Sequence, residues 1–417
     1  MLKFKNYNIL KYMSKICYYK ILIYLLTIYM FTTLTYTLWS QITKSPNKII
    51  GFLIFCNILI IYFKYITLKK IMIFFLAFSV VVIAILQTLN KSLYISDGIY
   101  FIITIFLLTE LNNEHFVKKL LSSLRQSQTF IKIIIILCNI FLCVGFFDIK
   151  CYNSSLWEGS YYIGYTNASH TMASGVCLLL SFSLYIIRDK KNLRTFILLI
   201  PGIIAIFKSG ARTFLIPLII ICYFFYIYNI KKFLLKIILL PLALFITGYI
   251  FLQSSMLDKI LFSINNKVGN MGFMGRFTNG RTVFWLVDLL AFRDYNFIQK
   301  LLGNGLDFVY ILNKKIFNLA IWAHNDIINC LLSFGIIGTS IYIYTVFIIC
   351  KNILKYQKSN IFIKISLLIY MIIPALLNGF YPYQHYFYSF FILFILYKYY
   401  CYNKKSVMEY KNLLSKK

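Results

Sequence analysis

Long runs of apolar residues with few charges follow one another along almost the whole chain, and this feature restricts the fold more than any other. A run of about 20 such residues is what an α-helix needs to cross a lipid bilayer. Only 13% of the 417 residues are charged, whereas a globular protein usually has about 25%. The chain has too little polar surface to solvate a body of this size, so a water-soluble protein is excluded.

The positions of the runs predict an all-α polytopic membrane protein with about 12 transmembrane helices. The whole chain, residues 1–417, is expected to form one integral membrane domain, and the longest connection, 253–326, is expected to be one large loop outside the cytoplasm. The predicted spans are 21–39, 49–67, 71–89, 93–111, 130–149, 171–187, 194–207, 213–230, 233–252, 327–350, 361–377 and 386–401.

Lysine and arginine outnumber aspartate and glutamate by 43 to 12, a balance that could indicate nucleic acid as a partner. The positions of the basic residues indicate a membrane instead. With the predicted spans, 29 of the 43 lie on the side of the N-terminus and only 6 in the short connections of the other side, the rest being in 253–326. Short loops rich in lysine and arginine stay in the cytoplasm. Both termini are therefore predicted to be cytoplasmic, with the basic residues facing anionic lipid and no nucleic acid as a partner.

The acidic residues are scattered, and the sequence offers no metal site. It contains no Asp-x-Asp pair, no Cys-x-x-Cys pair and no metal-ligand spacing of histidines. Two carboxylates, Asp97 and Glu110, fall within a predicted span, and we interpret them as helix-end or snorkelling side chains. Neither a metal nor a cofactor is expected.

The segment 322–326, Trp-Ala-His-Asn-Asp, stands directly before a long apolar run. Asn325 and Asp326 are residue types that cap the N-termini of helices, so a helix is predicted to begin here at the membrane surface. This helix start would hold His324 rigidly in place. A histidine that is neutral near pH 7 can take a proton from a hydroxyl, which makes His324 a candidate base. An ordinary interfacial histidine beside a tryptophan fits the same pattern.

A second pattern is the segment 208–213, Lys-Ser-Gly-Ala-Arg-Thr, between two predicted spans. The predicted turn puts Arg212 at the start of a helix, where the guanidinium group and the helix end both favour an anion such as a diphosphate. Lys208 would add a supporting charge. A snorkelling arginine fits the same position.

The large loop carries a third pattern. Arg281 is followed four residues later by Trp285, which predicts an amphipathic helix at the membrane surface, and Arg276 lies shortly before them. The glycines of the Gly-Asn-Gly segment 303–305 predict a turn. The glycines of the Gly-Ile-Ile-Gly segment 335–338, in the next apolar run, would let another helix approach closely.

In order and spacing, these patterns together resemble the O-antigen polymerase and O-antigen ligase superfamily of bacterial surface-polysaccharide assembly. The resemblance rests on the segments 209–213, 281–305 and 323–338, and it covers about residues 205–340. The predicted arrangement of spans extends it over the whole chain. It implies a membrane-embedded, GT-C-like fold.

The resemblance also implies an activity: metal-independent polymerisation of oligosaccharide repeat units, carried on undecaprenyl diphosphate, into O-antigen or capsular polysaccharide at the outer face of the bacterial plasma membrane. Implied partners are the lipid-linked glycan donor and acceptor, membrane lipid, a chain-length regulator and a flippase. His170 stands where the family often has an asparagine, so this position departs from the family pattern. The implied catalytic residues are His324, Arg281 and Arg212, and the implied substrate-binding residues are Arg276, Lys208, Asn325, Trp285 and His170.

Elementary chemistry agrees with this assignment. A departing diphosphate gains negative charge, which fixed cations can stabilise, and an acceptor hydroxyl needs a base. The aromatic stretch 378–388, predicted on the same side of the membrane, offers a surface on which sugar rings could stack. An interfacial aromatic belt fits the same stretch.

Three alternatives stay open at this stage. An O-antigen ligase would use the same donor but transfer the polymer to the lipid A core. A polysaccharide-lipid flippase or other transporter has about as many spans, but it is expected to have broken helices and charges near the membrane midplane, which this sequence mostly lacks. A peptidoglycan-type polymerase would depend on an acidic residue of the large loop, for which Asp288 and Asp307 are candidates.

Overall fold

A computed structural model of the protein describes residues 18–43, 45–64, 67–155, 159–188, 193–230, 280–355 and 360–414, with isolated residues between 241 and 257. The chain in these ranges is almost entirely helical, apart from one two-stranded hairpin. Among the described residues, seven helices are long and apolar enough to cross a membrane. The prediction of an all-α membrane protein is therefore confirmed.

The described elements are numbered in chain order. The first half of the chain contains α1 (Tyr18–Leu34), α2 (Tyr36–Ser40), α3 (Pro46–Lys64), α4 (Leu68–Gln87), α5 (Lys91–Glu110), α6 (Glu114–Gln126), α7 (Gln128–Gly145), β1 (Tyr152–Ser155), β2 (Gly159–Tyr162), α8 (Ser169–Ile187) and α9 (Ile200–Lys208). The second half contains α10 (Leu215–Asn229), α11 (Arg281–Arg293), α12 (Phe297–Leu302), α13 (Phe308–Phe317), α14 (Asp326–Lys355), α15 (Ile361–Leu377) and α16 (Gln384–Leu414).

Most predicted spans coincide with one of these helices to within a few residues. The candidate membrane-spanning helices are α3, α4, most of α5, α7, α8, α10 with the turn before it, and α14, while α1, α15 and the segment Phe196–Lys208 are apolar but shorter. The predicted span 194–207 is divided between a 3-10 turn and the nine-residue helix α9. The predicted span 233–252 lies almost wholly outside the described residues.

Helices α8 and α16 form the centre of the bundle. All residues from 172 to 187 in α8 and from 384 to 398 in α16 are buried. Helices that are apolar on every side can be surrounded by other helices in this way. Polar side chains between the two helices form hydrogen bonds with each other. The hydroxyl oxygens of Ser181 and Ser389, for example, are 2.7 Å apart.

The two carboxylates of α5 both bind protein groups. Glu110 is buried and forms an ion pair with Lys70 of α4. Asp97 accepts a hydrogen bond on Oδ2 from the hydroxyl of Tyr310 in α13, at 3.1 Å. The interpretation of Glu110 as a helix-end side chain is confirmed, since it is the last residue of α5, but neither carboxylate snorkels toward water without a protein partner, and that part of the interpretation is corrected.

The described part of the large loop, 280–325, packs on one end of the bundle, which we call the loop end. Asp307 holds it there, because its Oδ2 accepts hydrogen bonds from the backbone N–H groups of Leu89 and Asn90, at 3.0 and 2.9 Å, between α4 and α5. Hydrogen bonds to an ionised acceptor are about twice as strong as neutral ones. This contact ties the loop firmly to the ends of two helices.

Helix α14 is sharply bent at Gly335, whose φ of 65° lies outside the helical range. The hydroxyl of Tyr342 donates a hydrogen bond to Asp326, sixteen residues earlier in the same helix. In a straight helix these residues would be about 24 Å apart, so the first segment folds back toward the second. The sequence prediction of one continuous span from residue 327 is corrected at this point. The roughly 20 residues after the bend are still enough to cross a bilayer.

Two glycines allow the bend to pack against the loop. A Cβ atom at Gly335 would lie 2.4 Å from backbone atoms of Leu301, and one at Gly303 would lie 2.4 Å from backbone atoms of Ser333. The two backbones are therefore in direct contact. The predicted close approach at 335–338 and the predicted turn at 303–305 are both confirmed.

Candidate functional site

Three segments that are far apart in the sequence meet at the loop end. They are the turn that contains Arg212, the start of α11 with Arg281, and the segment before α14 with His324. The positive charge of Arg281 interacts with both Arg212 and His324. The guanidinium group of Arg281 also donates a hydrogen bond to the backbone oxygen of Leu377 at the end of α15. The three residues that the sequence indicated as catalytic therefore lie close together, and their catalytic roles stay predictions.

Arg281 is the first residue of α11, directly after Gly280, whose φ of 79° turns the chain into the helix. The predicted helix at this position is confirmed. Burial lowers the pKa of Arg281 to about 10, with Tyr383 acting in the opposite direction and Arg212 in the same direction. In the described part of the chain, no carboxylate forms an ion pair with Arg281. Arg276, which was predicted to support it, lies outside the described residues.

Arg212 lies in the predicted turn between two helices. Gly210, with a φ of 63°, lets the chain reverse its direction, and Arg212 begins a 3-10 turn that leads into α10. Tyr161 of β2 interacts electrostatically with the guanidinium group. The hairpin and this turn therefore lie side by side at the loop end.

Two further residues that were predicted to bind substrate border the same turn. Lys208, the last residue of α9, is exposed, and its Nζ lies 5.8 Å from the centre of the Tyr152 ring. His170 is in the first turn of α8, with its ring centre 6.1 Å from that of Phe214. Both residues belong to the surroundings of Arg212, and their binding of substrate stays a prediction.

His324 has a φ of 53°, a left-handed conformation that is uncommon for residues other than glycine. Backbone strain of this kind is often found at functional sites. The half-buried ring lies 4.9 Å from that of Trp322. Burial, followed by the positive charge of Arg281, lowers the pKa of His324 to about 3, although a hydrogen bond with the Asn378 backbone acts in the opposite direction. His324 is therefore neutral at physiological pH.

Two residues that were predicted to bind substrate hold the His324 segment in place. The indole Nε1 of Trp285 donates a hydrogen bond to the backbone oxygen of Ala323, at 2.7 Å. Asn325 caps α14: its Oδ1 accepts hydrogen bonds from two backbone N–H groups of the first turn, while its Nδ2 donates to the Leu376 backbone oxygen at 3.2 Å. The structure gives both side chains a positioning role.

Asp326 does not cap the helix, contrary to the alternative that its residue type suggested. Its carboxylate oxygens accept hydrogen bonds from the backbone N–H groups of Phe380 and Tyr381 and from the hydroxyl of Tyr342. Asp326 thereby fastens the connection between α15 and α16 to the start of α14. The two backbone partners lie more than 50 residues away in the sequence, so no local pattern could have indicated them.

The aromatic stretch 378–388 is not a surface for sugar rings or an interfacial belt over most of its length, because most of its rings are fully buried. These are Phe380, Tyr381, Tyr386, Phe387 and Tyr388. Tyr383 is half-buried, and its ring lies 5.6 Å from that of Trp322 and 6.3 Å from that of Phe214. It also interacts electrostatically with Arg281. The sequence analysis missed this residue, since nothing local distinguishes it among 35 tyrosines.

Asp288 is fully buried in α11, one helical turn after Trp285. Neither of its carboxylate oxygens accepts a hydrogen bond of normal distance and angle from another described residue. Burial raises the pKa of Asp288 to about 7, although the amide of Asn313 acts in the opposite direction. The folded protein therefore keeps this proton more tightly than the unfolded chain does.

Replacing Asp288 by asparagine is expected to stabilise the protein at pH 8 by up to about 4 kcal/mol and to have little effect near pH 4. The folded pKa of about 7 exceeds the ordinary value of 3.8, so the stability of the native protein falls as the pH rises from 4 to 7. Asparagine has the same shape and no charge to bury. Thermal unfolding of the purified protein at both pH values measures the effect, with the exposed Asp294→Asn as the control. Equal stabilisation at both pH values would contradict the prediction.

Within the described ranges, no three histidine, cysteine, aspartate or glutamate side chains come together as possible metal ligands.

Comparison with known proteins gives no family assignment: no protein-family model matches the sequence, and no curated protein matches it.

Proposed function

We propose that the protein is a membrane glycosyltransferase that joins oligosaccharide repeat units carried on undecaprenyl diphosphate into a polysaccharide, at the outer face of the bacterial plasma membrane. The observation that carries the proposal is the meeting of the Arg281, Arg212 and His324 segments at the loop end, through the ring contacts of Trp322, Tyr383 and Phe214 and the hydrogen bond from Trp285 to Ala323. The resemblance to O-antigen polymerases and ligases supports it, because the same three residues carry much of that resemblance. About 12 spans and a GT-C-like fold are part of the proposal.

In this proposal the two arginines bind the diphosphate of the donor. Arg281 starts a helix and Arg212 starts a 3-10 turn that leads into one, and backbone N–H groups at such starts carry partial positive charge. A bound diphosphate would relieve the repulsion between the neighbouring guanidinium groups. When the bond from sugar to diphosphate breaks, negative charge moves onto the leaving group, and cations already in place stabilise it.

His324 acts on the acceptor. The acceptor hydroxyl oxygen attacks the anomeric carbon of the donor, the bond from that carbon to the diphosphate oxygen breaks, and the hydroxyl proton passes to His324. With a pKa of about 3, His324 is a weak base in the protein without substrate. Because the charge of Arg281 is one cause of this low pKa, a bound diphosphate would offset that charge and raise the pKa. His324 is therefore a stronger base with the donor in place than in the protein without substrate.

Particular observations bear on the alternatives. The bend of α14 at Gly335 is a broken helix, which the sequence did not lead us to expect and which favours a transporter. The arginines and His324, however, gather at the loop end and not along the middle of the spans. For a peptidoglycan-type polymerase, Asp307 is already used to hold the loop, which leaves Asp288 as the acidic candidate.

Deletion of the gene, followed by electrophoresis of the surface polysaccharide, tests the proposed function. A polymerase is expected to leave glycolipid with a single repeat unit. Accumulation of free lipid-linked polymer would identify a ligase, and lipid-linked repeat units retained at the inner face would identify a transporter. Unchanged surface polysaccharide would contradict all three.

The proposed orientation, with both termini in the cytoplasm and the loop end outside, gives a prediction of its own. Alkaline phosphatase, which is active only outside the cytoplasm, is expected to be active when fused after Asn304 and inactive when fused after Gln126. Asn304 lies at the loop end, and Gln126 ends a helix at the opposite end of α5. Activity in the reverse pattern would put the site on the wrong face of the membrane for lipid-linked glycans.

A further inference from the structure

Asn378 lies next to the residues of the candidate site. It follows the last residue of α15, Leu377, whose backbone oxygen accepts a hydrogen bond from Arg281. The backbone of Asn378 itself interacts with the His324 side chain. Asn378 thus lies between Arg281, which is proposed to bind the diphosphate, and His324, the proposed base.

Trp322 fixes the chain on the other side of this residue. Its indole ring packs directly on Gly379, where a Cβ atom would lie only 1.8 Å from the ring. The φ of Gly379, 133°, also favours glycine. The same indole lies 4.9 Å from the His324 ring. The backbone around Asn378 is therefore held by packing as well as by hydrogen bonds.

The side chain of Asn378 has its hydrogen-bonding capacity unused within the described chain. The residue is 0% exposed, and neither Oδ1 nor Nδ2 has a hydrogen-bond partner. The Nδ1 atom of His324 is also buried without a partner. Unbonded buried polar atoms are rare in native proteins, since each costs about 1–3 kcal/mol. A side chain in this state can bind a polar ligand without giving up an existing bond.

The chemistry of the amide selects the kind of ligand. An amide offers donors on Nδ2 and an acceptor on Oδ1, and a hydroxyl group likewise donates and accepts. A diphosphate only accepts, and Arg281 and Arg212 already suit it. We propose that Asn378 binds a hydroxyl group of a sugar next to the reacting bond and so helps to determine which repeat unit is accepted. This inference rests on the proposed function.

The test compares Asn378→Leu with the unaltered protein. Leucine has a similar volume and no polar atoms, so loss of an amide that is bonded only to substrate is expected to leave the Tm of the substrate-free protein unchanged or higher. The KM for purified lipid-linked repeat unit is expected to rise about tenfold or more, with kcat nearly unchanged, because a hydroxyl held equally in the ground state and the transition state contributes uniform binding.

Asn325→Leu is the matched control, since the Asn325 amide is fully used within the protein and its loss should lower the Tm. A Tm of Asn378→Leu that falls as far as that of the control would assign Asn378 a structural role and overturn the inference. An unchanged KM, or a loss confined to kcat, would overturn it as well, while polymerisation by the unaltered protein would leave the proposed function standing. If the unaltered protein forms no polymer from repeat units, the proposed function and this inference fail together.

Discussion

Replacing His324 by glutamine is expected to reduce polymer formation by about 10²–10⁴-fold, the usual contribution of general-base catalysis, while leaving the amount of folded protein in the membrane unchanged. Glutamine keeps a hydrogen-bonding side chain of similar reach but cannot take the proton of the acceptor hydroxyl. The half-buried side chain of His324 adds little apolar packing, so folding should tolerate the change. Polymer length on gels and the rate with purified lipid-linked repeat units measure the effect.

His115→Gln is the matched control, because His115 is an exposed histidine near the start of α6, at the opposite end of the bundle. Full activity of His324→Gln would show that His324 binds or orients substrate without acting as a base. If His324→Ala were fully active as well, the assignment of the site would be wrong.

The dependence of the rate on pH gives a second measurement of the same residue. His324 must be neutral to act as a base, so activity is lost as the pH falls through its pKa. For kcat/KM, which reports the free protein, the loss is expected below about pH 4, because the pKa of His324 is lowered to about 3. For kcat, which reports the complex, it is expected at a higher pH, because the bound diphosphate raises the pKa. Identical profiles for kcat and kcat/KM would contradict the role of the donor in raising this pKa.

Replacing Arg281 or Arg212 by lysine is expected to lower the rate of polymer formation about 10- to 100-fold each, at normal protein levels. Lysine keeps the positive charge but loses the planar fork that binds two oxygens of a diphosphate. A hydrogen bond to a charged group contributes about 1.5–3 kcal/mol, which corresponds to this range of rates. The rate is expected to fall further for Arg281→Lys than for Arg212→Lys, because the guanidinium group of Arg281 also donates a hydrogen bond to the Leu377 backbone oxygen.

Arg293→Lys provides the control for the arginine variants. Arg293 ends the same helix that Arg281 begins, but its side chain is exposed and pairs with Asp294. This variant should keep full activity. Full activity of Arg281→Lys and Arg212→Lys would show that the arginines only anchor the loop to the bundle, and the diphosphate would then need another site.

Much of the architecture followed from the sequence, because the signals for it are local. Whether 20 consecutive residues can cross a membrane depends on their own side chains, and most predicted spans match observed helices. The helix that begins at Arg281, the turn at 303–305 and the cap at Asn325 followed from neighbouring residues in the same way. A resemblance in order and spacing also singled out Arg212, Arg281 and His324, whose catalytic roles stay predictions.

Contacts between distant residues decided the rest. The bend at Gly335 depends on the backbone near Leu301, and the role of Asp326 depends on backbone groups more than 50 residues away. The low pKa of His324 requires burial and the nearby Arg281, neither of which a local pattern contains. The surroundings of Asn378 likewise exist only where the end of α15 meets two other segments. Hydrophobicity and helix capping act over a few residues, whereas burial and charge proximity are properties of the packed bundle, so only the tertiary structure could determine them.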